Sequence, residues 1–561
     1  MSAQTGRPGV AAAPPSSRRF DRARIGISRM QNDPNPVWMR ELRQAARLGR
    51  TPIILAVITG VMALLMCSVG GVASVSTEPA KVGVVLFHVF FSLAFAVVTW
   101  VAPAVAASTI ASERSGRTWE ALLLTGLGAP TIARGKFLAS LSYISLYIVM
   151  LAPVGVLPFL FGGVTATEVI TAFALLFLLG ALSVAFGLSI SSQFSSSAVA
   201  IVVTLLVAIP LSLLLYLLGG VALSFAAHEL WPQVPKGPPV WLPTAYARAD
   251  FGLEYVAFLV VTPLLCVTIP AWFFYEVTVA NMASMSDDRS TGIRRWALVS
   301  LPAFALASLI PAFAVPSDEW AAVTLSMGVT FLFAVFVAFV FAGEPLGPSR
   351  RVQVHWDRTG VGRLRRYLGP GVMRASSLLL MLSLGAIGIQ LVAGVLIVMG
   401  KGGSSVGDDA TRVVSFGLYA AAFLVFVVGF VAWTRARSMS ATVPRVLLVG
   451  VLFLATLGPW LAMAIAGILT DGSDEALLVA SPSPTYVFVL MNAIGKSGSE
   501  RELALTAAAV CAAGWGFLGA GLMAAAGVRS RRVIASHERS LERVEALLRS
   551  EEEPPVETAN G

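Results

Sequence analysis

Charge is scarce in this chain of 561 residues: 13% of residues are charged and 56% are apolar, against roughly 25% charged in ordinary soluble domains. With a mean hydropathy of +0.79, a soluble fold would lack the polar surface to cover itself. Only three cysteines occur, Cys67, Cys266 and Cys511, each inside an apolar stretch, which leaves no disulfide framework and no metal site. Of the four histidines, His88, His228, His355 and His537, only His88 falls in such a stretch. No H-E-x-x-H spacing or other catalytic set accompanies it. The phosphate-cradling pattern G-x-x-x-x-G-K-[ST] is also missing, since Phe137 follows Gly135-Lys136, and Gly495-Lys496-Ser497 lacks a glycine five places earlier. Any ATP that drives this protein is therefore hydrolysed on another polypeptide. Ten-residue segments of alternating polarity, the mark of a transmembrane barrel, do not occur. Residues 1–34, rich in Pro, Ser, Gly and Arg, contain no apolar core, so they read as a disordered cytoplasmic lead without a cleavable signal peptide.

What is present is a series of apolar stretches of about 18 to 27 residues, when about 20 helical residues cross a membrane. The expected spans are 53–75, 84–111, 137–161, 168–190, 197–224, 254–280, 297–315, 320–342, 375–400, 411–433, 446–470 and 503–528. The predicted fold class is an all-α polytopic membrane protein of about twelve helices, with both termini on one side. Lys and Arg near span ends stay cytoplasmic. One side of this map holds Lys81, Lys236, Arg248, Lys401, Arg412, Lys496 and Arg501, which is 7 of the 40 basic residues. The other 33 share a side with both termini, and that side is read as cytoplasmic. The net charge of +9 is then a topology signal with some attraction to anionic membrane lipid, and implies no nucleic acid. Arginine outnumbers lysine 35 to 5, a compositional association with GC-rich bacteria and hence with a bacterial cytoplasmic (inner) membrane.

The two sets of six spans share one rhythm of connections: short outside, long inside, short outside, short inside, long outside. A 6+6 arrangement follows, with halves 35–296 and 297–528 and a cytoplasmic tail 529–561. The long outside loops, 225–253 and 471–502, both close on a similar run, Pro243-Thr244-Ala245-Tyr246 and Pro484-Thr485-Tyr486.

Two segments of the first half stand out. Asn35 can cap a helix whose first position suits Pro36. On that helix Arg40, Arg43, Arg47 and Arg50 fall within an arc of about 80°, opposite Trp38, Leu42, Ala45 and Gly49. Such a helix lies in the membrane interface with arginines toward headgroups and tryptophan toward acyl chains; a plain basic flank is the alternative. Between spans two and three, Thr118 can cap a short helix that ends at Gly126, and Gly128 with Pro130 turns the chain back. This stubby helix holds Trp119, Leu122 and Leu123 available for burial by a docked partner.

The run Asn-Pro-x-x-x-Arg-Glu-Leu-Arg (35–43), the loop Glu-Arg-x-x-x-Thr-x-Glu-x-Leu-Leu-x-Thr (113–125) and Gly135-Lys136 together resemble ABC-2-type permeases, membrane subunits of ABC transporters, over about residues 35–280. The resemblance implies a permease of an ATP-driven exporter, itself not an enzyme, that binds no cofactor. ATP and Mg would sit on a separate P-loop ABC ATPase, and a second permease copy is a further possible partner. It makes Pro36, Trp38, Arg40, Glu41, Arg43 and Arg47 part of an elbow helix. It makes Glu113, Arg114, Arg117, Thr118, Trp119, Glu120, Leu122, Leu123, Thr125 and Lys136 part of an ATPase-coupling loop. It places the Pro-rich loop with Trp231, Pro239, Trp241, Pro243 and Tyr246 where the family has short re-entrant outer helices. An ordinary interfacial loop is the alternative there.

The second half departs from that pattern. Its inside loop, Glu344 to Arg374, is long and basic but lacks the Thr-x-Glu-x-Leu-Leu run, so it reads as a positive flank or a diverged coupling surface. A rival resemblance is to ion-coupled carriers of the major facilitator type. Glu113-Arg114-Ser115-Gly116-Arg117 and Asp357-Arg358-Thr359-Gly360 match the core of that family's inside loop, without its leading glycine. Such carriers keep ionisable groups deep in the bundle, whereas Glu276, near a cytoplasmic end, is the one acid assigned to a span. The stretch 532–550 carries Ile534, Leu541, Val544 and Leu548 at helical spacing and reads as a solvated helix, with ATPase contact as the alternative.

Overall fold

A computed structural model describes residues 34–47, 50–76, 78–234, 241–284, 286–314, 319–401, 406–469, 478–496 and 498–552. Among them no strand occurs, and twelve helices are long and apolar enough to cross a membrane. In order they are Ile53–Val75, Pro79–Ser115, Ala129–Met150, Ala166–Ser191, Ser197–Leu217, Leu253–Met282, Thr291–Ala312, Glu319–Phe341, Val372–Gly400, Val406–Arg437, Thr442–Ile468 and Ser499–Val544. Every expected span has its helix. The chain is an all-α, multi-pass membrane protein, and this architecture suggests a membrane transporter.

Three details differ from the sequence expectation, each for a local reason. The third span stops at Met150, and residues up to 161 form two short pieces, Ala152–Gly155 and Leu157–Phe161. Pro153 and Pro158 each remove a donor from the helical ladder, and Gly162 and Gly163 then adopt φ of 86° and 76°. The twelfth span does not end near residue 528 but runs on as one helix, Ser499–Glu552. No Gly, Pro or Asn interrupts residues 529–552, so nothing stops it, and it extends about 35 Å past Arg529. Glu168, left out of the span acids, sits in the first turn of the fourth span and is 2% exposed; its carboxylate accepts from the Thr165 backbone in a capping box.

Packing separates two compact units, Met1–Ser212 and Leu213–Gly561, with the boundary inside the fifth span. The 6+6 rhythm is thus a pattern of connection lengths, and the packing boundary falls elsewhere. In the first unit the second span lies along the fourth, and the helix Pro36–Arg47, the expected elbow helix, along the third. A π-helical turn at Val97–Val101 precedes Pro103 and widens the ladder where that proline supplies no N–H. At the inner end of the pair, Ser191 Oγ accepts from the Ile110 and Ala111 N–H groups at 3.0 Å each.

In the second unit the tenth and twelfth spans touch backbone to backbone. A Cβ on Gly429 would lie 2.2 Å from the Gly519 carbonyl oxygen, and one on Gly519 would lie 2.4 Å from the Phe426 nitrogen; small residues at this crossing are what let the helices meet. Spans seven, eight and nine are tied by Gln390, fully buried, whose Nε2 lies 2.8–3.0 Å from Ala305 O, Ser308 Oγ, Ser326 Oγ and Thr330 Oγ1. Such polar ties hold apolar spans together where hydrophobicity does not distinguish helix from lipid.

Gly519→Leu is expected to destabilise the protein by about 3 kcal/mol, the upper end for overpacking against backbone. Gly514→Leu on the same helix, where a Cβ meets nothing within 4 Å, should change stability by less than about 0.5 kcal/mol. Thermal unfolding in detergent compares the two.

Candidate functional site

The elbow helix, Pro36–Arg47, starts as the sequence predicts. Asn35 Oδ1 accepts from the Val37 and Trp38 N–H groups at 3.0 and 3.4 Å. The same side chain also docks the helix, because Asn35 Nδ2 donates to the Thr131 carbonyl at 2.9 Å. Val37 is buried, and Trp38 is half-buried, its indole N–H donating to Ser142 Oγ of the third span at 3.2 Å. The tryptophan that was expected among acyl chains is instead engaged with the third span. Close approach here needs Gly135: a Cβ at that position would lie 2.6 Å from Asn35 Oδ1 and 2.7 Å from Val37 Cβ.

Beneath the elbow lies a knot of four charges. Lys136 is 1% exposed, and its Nζ sits 3.3 Å from Glu41 Oε1, 3.1 Å from Glu113 Oε2 and 3.3 Å from the Thr109 carbonyl oxygen. Arg40 bridges both acids, pairing with Glu41 at 2.8 Å and with Glu113. Two cations and two carboxylates therefore join three elements: the elbow, the inner end of the second span and the start of the third. Burial alone would raise the Glu41 carboxyl, but Lys136 and Arg40 outweigh it and hold it below its ordinary value. Burial likewise opposes the charge on Arg40, yet its bonds to Glu41 and Glu113 raise it above the ordinary guanidinium value. Arg43 is exposed; Arg40, expected to face headgroups, points to Glu113. The side chain of Arg47 lies outside the described residues.

The loop of residues 113–125 continues from this knot. Arg114 reaches across to the Ser192 carbonyl at 2.7 Å and lies 5.3 Å over the Trp119 ring. Arg117 takes a left-handed φ of 55°, which turns the chain into a helix at Trp119–Leu124. Thr118 sits just before that helix and its carbonyl accepts from Leu122 N–H, but its hydroxyl donates to the Glu113 carbonyl at 3.3 Å. The helix ends at Gly126 (φ 74°) as expected, and exposed Thr125 donates to the Leu122 carbonyl. Leu122, expected on the outward face, is 5% exposed: the hairpin folds back and buries it in its own chain. Leu124, two residues on and so about 200° around the helix, is 87% exposed. The side chains of Glu120 and Leu123 are outside the described set.

The second unit carries a related arrangement at the same point of the loop rhythm. Glu344 follows the eighth span as Glu113 ends the second. It is 6% exposed and pairs at 2.9 Å with Arg294, which is fully buried at the start of the seventh span and also donates to the Gly369 and Gly371 carbonyls. Ser290 donates to the same carboxylate at 2.7 Å. The long basic loop forms two helices, Arg350–Thr359, capped by Ser349, and Arg363–Tyr367. Val352 and Trp356 are buried beneath the first, and the second presents Leu364, 78% exposed, between arginines.

In the loop between the fifth and sixth spans, the described residues 231–234 and 241–246 pack together. Trp231 is buried with Val234, Ala245 and Leu259, Pro243 is buried, and Tyr246 donates to the Leu259 carbonyl. Trp241 opens the helix Trp241–Arg248, though its side chain is not described, and Pro239 lies outside the described residues. The deeper segment is its counterpart in the second half. Tyr419 donates to the Ser481 and Ser483 carbonyls at 2.9 and 3.0 Å, Trp515 to the Pro482 carbonyl at 2.9 Å, and Trp460 to Thr485 Oγ1 at 2.7 Å. Ser481 Oγ meets Cys511 Sγ at 3.3 Å, about 15 Å of helix below Arg501. Non-helical backbone at that depth needs its carbonyls satisfied; Tyr419 and Trp515 supply donors to three of them, and Trp460 holds the Thr485 side chain. The chain then returns through the short helix Val487–Ile494.

Glu344, Arg294, Tyr419 and Trp515 escaped the sequence reading. A charged residue hard against an apolar window was the available signal for the first two. No protein-family model matches the chain, and no curated protein matches it.

Glu113→Gln and Lys136→Met should each cost about 3–5 kcal/mol, since each strands a buried charge, and the double variant should cost less than the sum; chemical denaturation in detergent measures the cycle. Because the Glu41 carboxyl is depressed in the folded state, its contribution is complete above the ordinary carboxylate value and fades only as pH falls through the lower folded one. A spin label at Arg43→Cys should therefore stay immobile at neutral and mildly acidic pH and loosen only below about pH 4.

Proposed function

We propose that the chain is the membrane-spanning subunit of an ATP-driven ABC exporter of the ABC-2 kind, in a cytoplasmic membrane with the basic loops and both termini in the cytoplasm. The observation that carries this reading is the elbow helix welded by Arg40, Glu41, Glu113 and Lys136 to the ends of spans two and three, with the Trp119–Leu124 hairpin projecting from the same junction. A partner that grips the exposed Leu124 pulls on a rigid joint, because the charges beneath cannot separate without stranding one another. On this reading ATP, with its Mg, is hydrolysed on that partner, in keeping with a chain that carries no G-x-x-x-x-G-K-[ST] pattern of its own. Leu364, on a short helix of the corresponding loop, offers a second handle on the same chain.

One observation favours the rival, an ion-coupled carrier. His88 of the second span is within electrostatic reach of buried Glu168, and its Nδ1 has no hydrogen-bond partner. Ionisable groups inside spans are the usual material of proton relays. Against it, no carboxylate occupies the middle of a described span; Glu168 lies at an outer end, and Glu276 lies near an inner end, bonded to Trp272.

A P-loop ATPase reading frame is expected adjacent to this chain's own, and co-purification with its product is the test; a neighbourhood without one would favour the carrier. Leu124→Glu removes a burial worth about 1.5–3 kcal/mol, so it should lower recovery of the ATPase by about tenfold or more. Unchanged recovery and unchanged ATP turnover would reject the coupling role. Transport that collapses with the proton gradient at constant ATP, and with His88→Gln, would establish the carrier instead.

A further inference from the structure

A groove of about 570 Å³ runs along spans nine, ten and twelve, lined by Met373, Leu380, Val425, Ala520, Met523 and Ala524 and ending at Arg531. Beside it lies a smaller hollow of about 180 Å³ that shares Met373, Gly527 and Arg531 and adds Gly371, Arg374 and Ser530. The groove is apolar along its length and basic at its mouth, and no carboxylate lines either part.

Its dimensions match one leaflet. From Ala520 to Arg531 the twelfth span rises about 16 Å, half of the roughly 30 Å hydrocarbon layer. Arg531 is exposed, and no ion pair or hydrogen bond engages it among the described residues. Arg374 is held in place by its bond to the Arg366 carbonyl at 2.9 Å and by the Trp356 ring 5.8 Å away. The mouth also contains the first turn of a helix of 30 residues, Val372–Lys401, whose dipole adds positive potential there.

We propose that this groove binds an anionic glycerophospholipid, one acyl chain in the slot and the phosphate between Arg374 and Arg531. The apolar slot selects for a chain, and the two guanidinium groups select for a negative headgroup. A soluble anion would satisfy only the mouth, and a zwitterionic lipid would fill the slot but bring a fixed cation up to the two guanidinium groups.

The test uses the purified full chain, stripped of lipid in detergent and exposed to mixed micelles of equal phosphatidylglycerol and phosphatidylcholine, with retained lipid counted by native mass spectrometry. The expected result is one phosphatidylglycerol per chain, preferred over phosphatidylcholine by about fivefold or more for each arginine. Arg531→Gln, at an exposed side chain, should cut that preference about fivefold without altering elution or helical content. Ala524→Trp, which fills the slot, should abolish retention of both lipids. Equal retention of the two lipids by the unaltered protein, an unchanged preference in Arg531→Gln, or release of the lipid by millimolar inorganic phosphate would overturn the proposal. If Ala524→Trp fails to fold, the Arg531→Gln comparison decides alone.

Discussion

A buried cation cannot stand alone at the edge of a membrane, and that constraint organises the basic end of each unit. Lys136 and Arg294 are shut away from solvent almost completely, where an unpaired charge costs several kcal/mol. Each is therefore bound to a carboxylate, Glu113 or Glu344, at the inner end of a different span. Positions of helix ends that apolar packing would leave loose, since lipid competes on equal terms with another span, become fixed by charge. The short helices bearing Leu124 and Leu364 project from these fixed ends rather than from flexible loops.

The opposite side is built differently. There the outer segments are held by neutral donors: Tyr246 for the first half, and Tyr419, Trp460 and Trp515 for the second. Neutral bonds to backbone carbonyls and to the Thr485 hydroxyl keep non-helical chain at depth without importing charge, and they break at lower cost than an ion pair. On the proposed reading, the end that a partner would grip is the one fixed by ion pairs, and the opposite end is held by weaker, neutral bonds.

Much of the fold was legible because the membrane imposes a length. Eighteen or more apolar residues can be counted, so all twelve spans were found, and Asn35-Pro36 marked the elbow through the chemistry of helix starts. Hydropathy windows do not register Pro153 and Pro158, which is why the third span was expected to end at 161, eleven residues past Met150. At the site, Arg40, Glu41, Glu113 and Lys136 were each singled out, but their convergence was not visible, since Lys136 lies 95 residues from Glu41 in the chain. The outward face of the hairpin was misread for a related reason. Whether Leu122 or Leu124 faces solvent depends on how the turn at Arg117 aims the helix, and a single positive φ at an arginine leaves no mark in sequence. The Ser-Pro-Ser-Pro run at 481–484 reads as loop, and only the aromatic donors of three distant spans take it inward.

The central claim is that the Trp119–Leu124 hairpin is seated in a separate ATPase. A photo-crosslinking amino acid in place of Leu124 tests it most directly, with the same probe at Leu253, also 87% exposed but on the outer end of the sixth span, as the control. The account predicts an adduct with the ATPase from position 124 alone, with a yield that changes when ATP hydrolysis is arrested by vanadate. No adduct from position 124 in a complex that still purifies intact, or equal adducts from both positions, would contradict it.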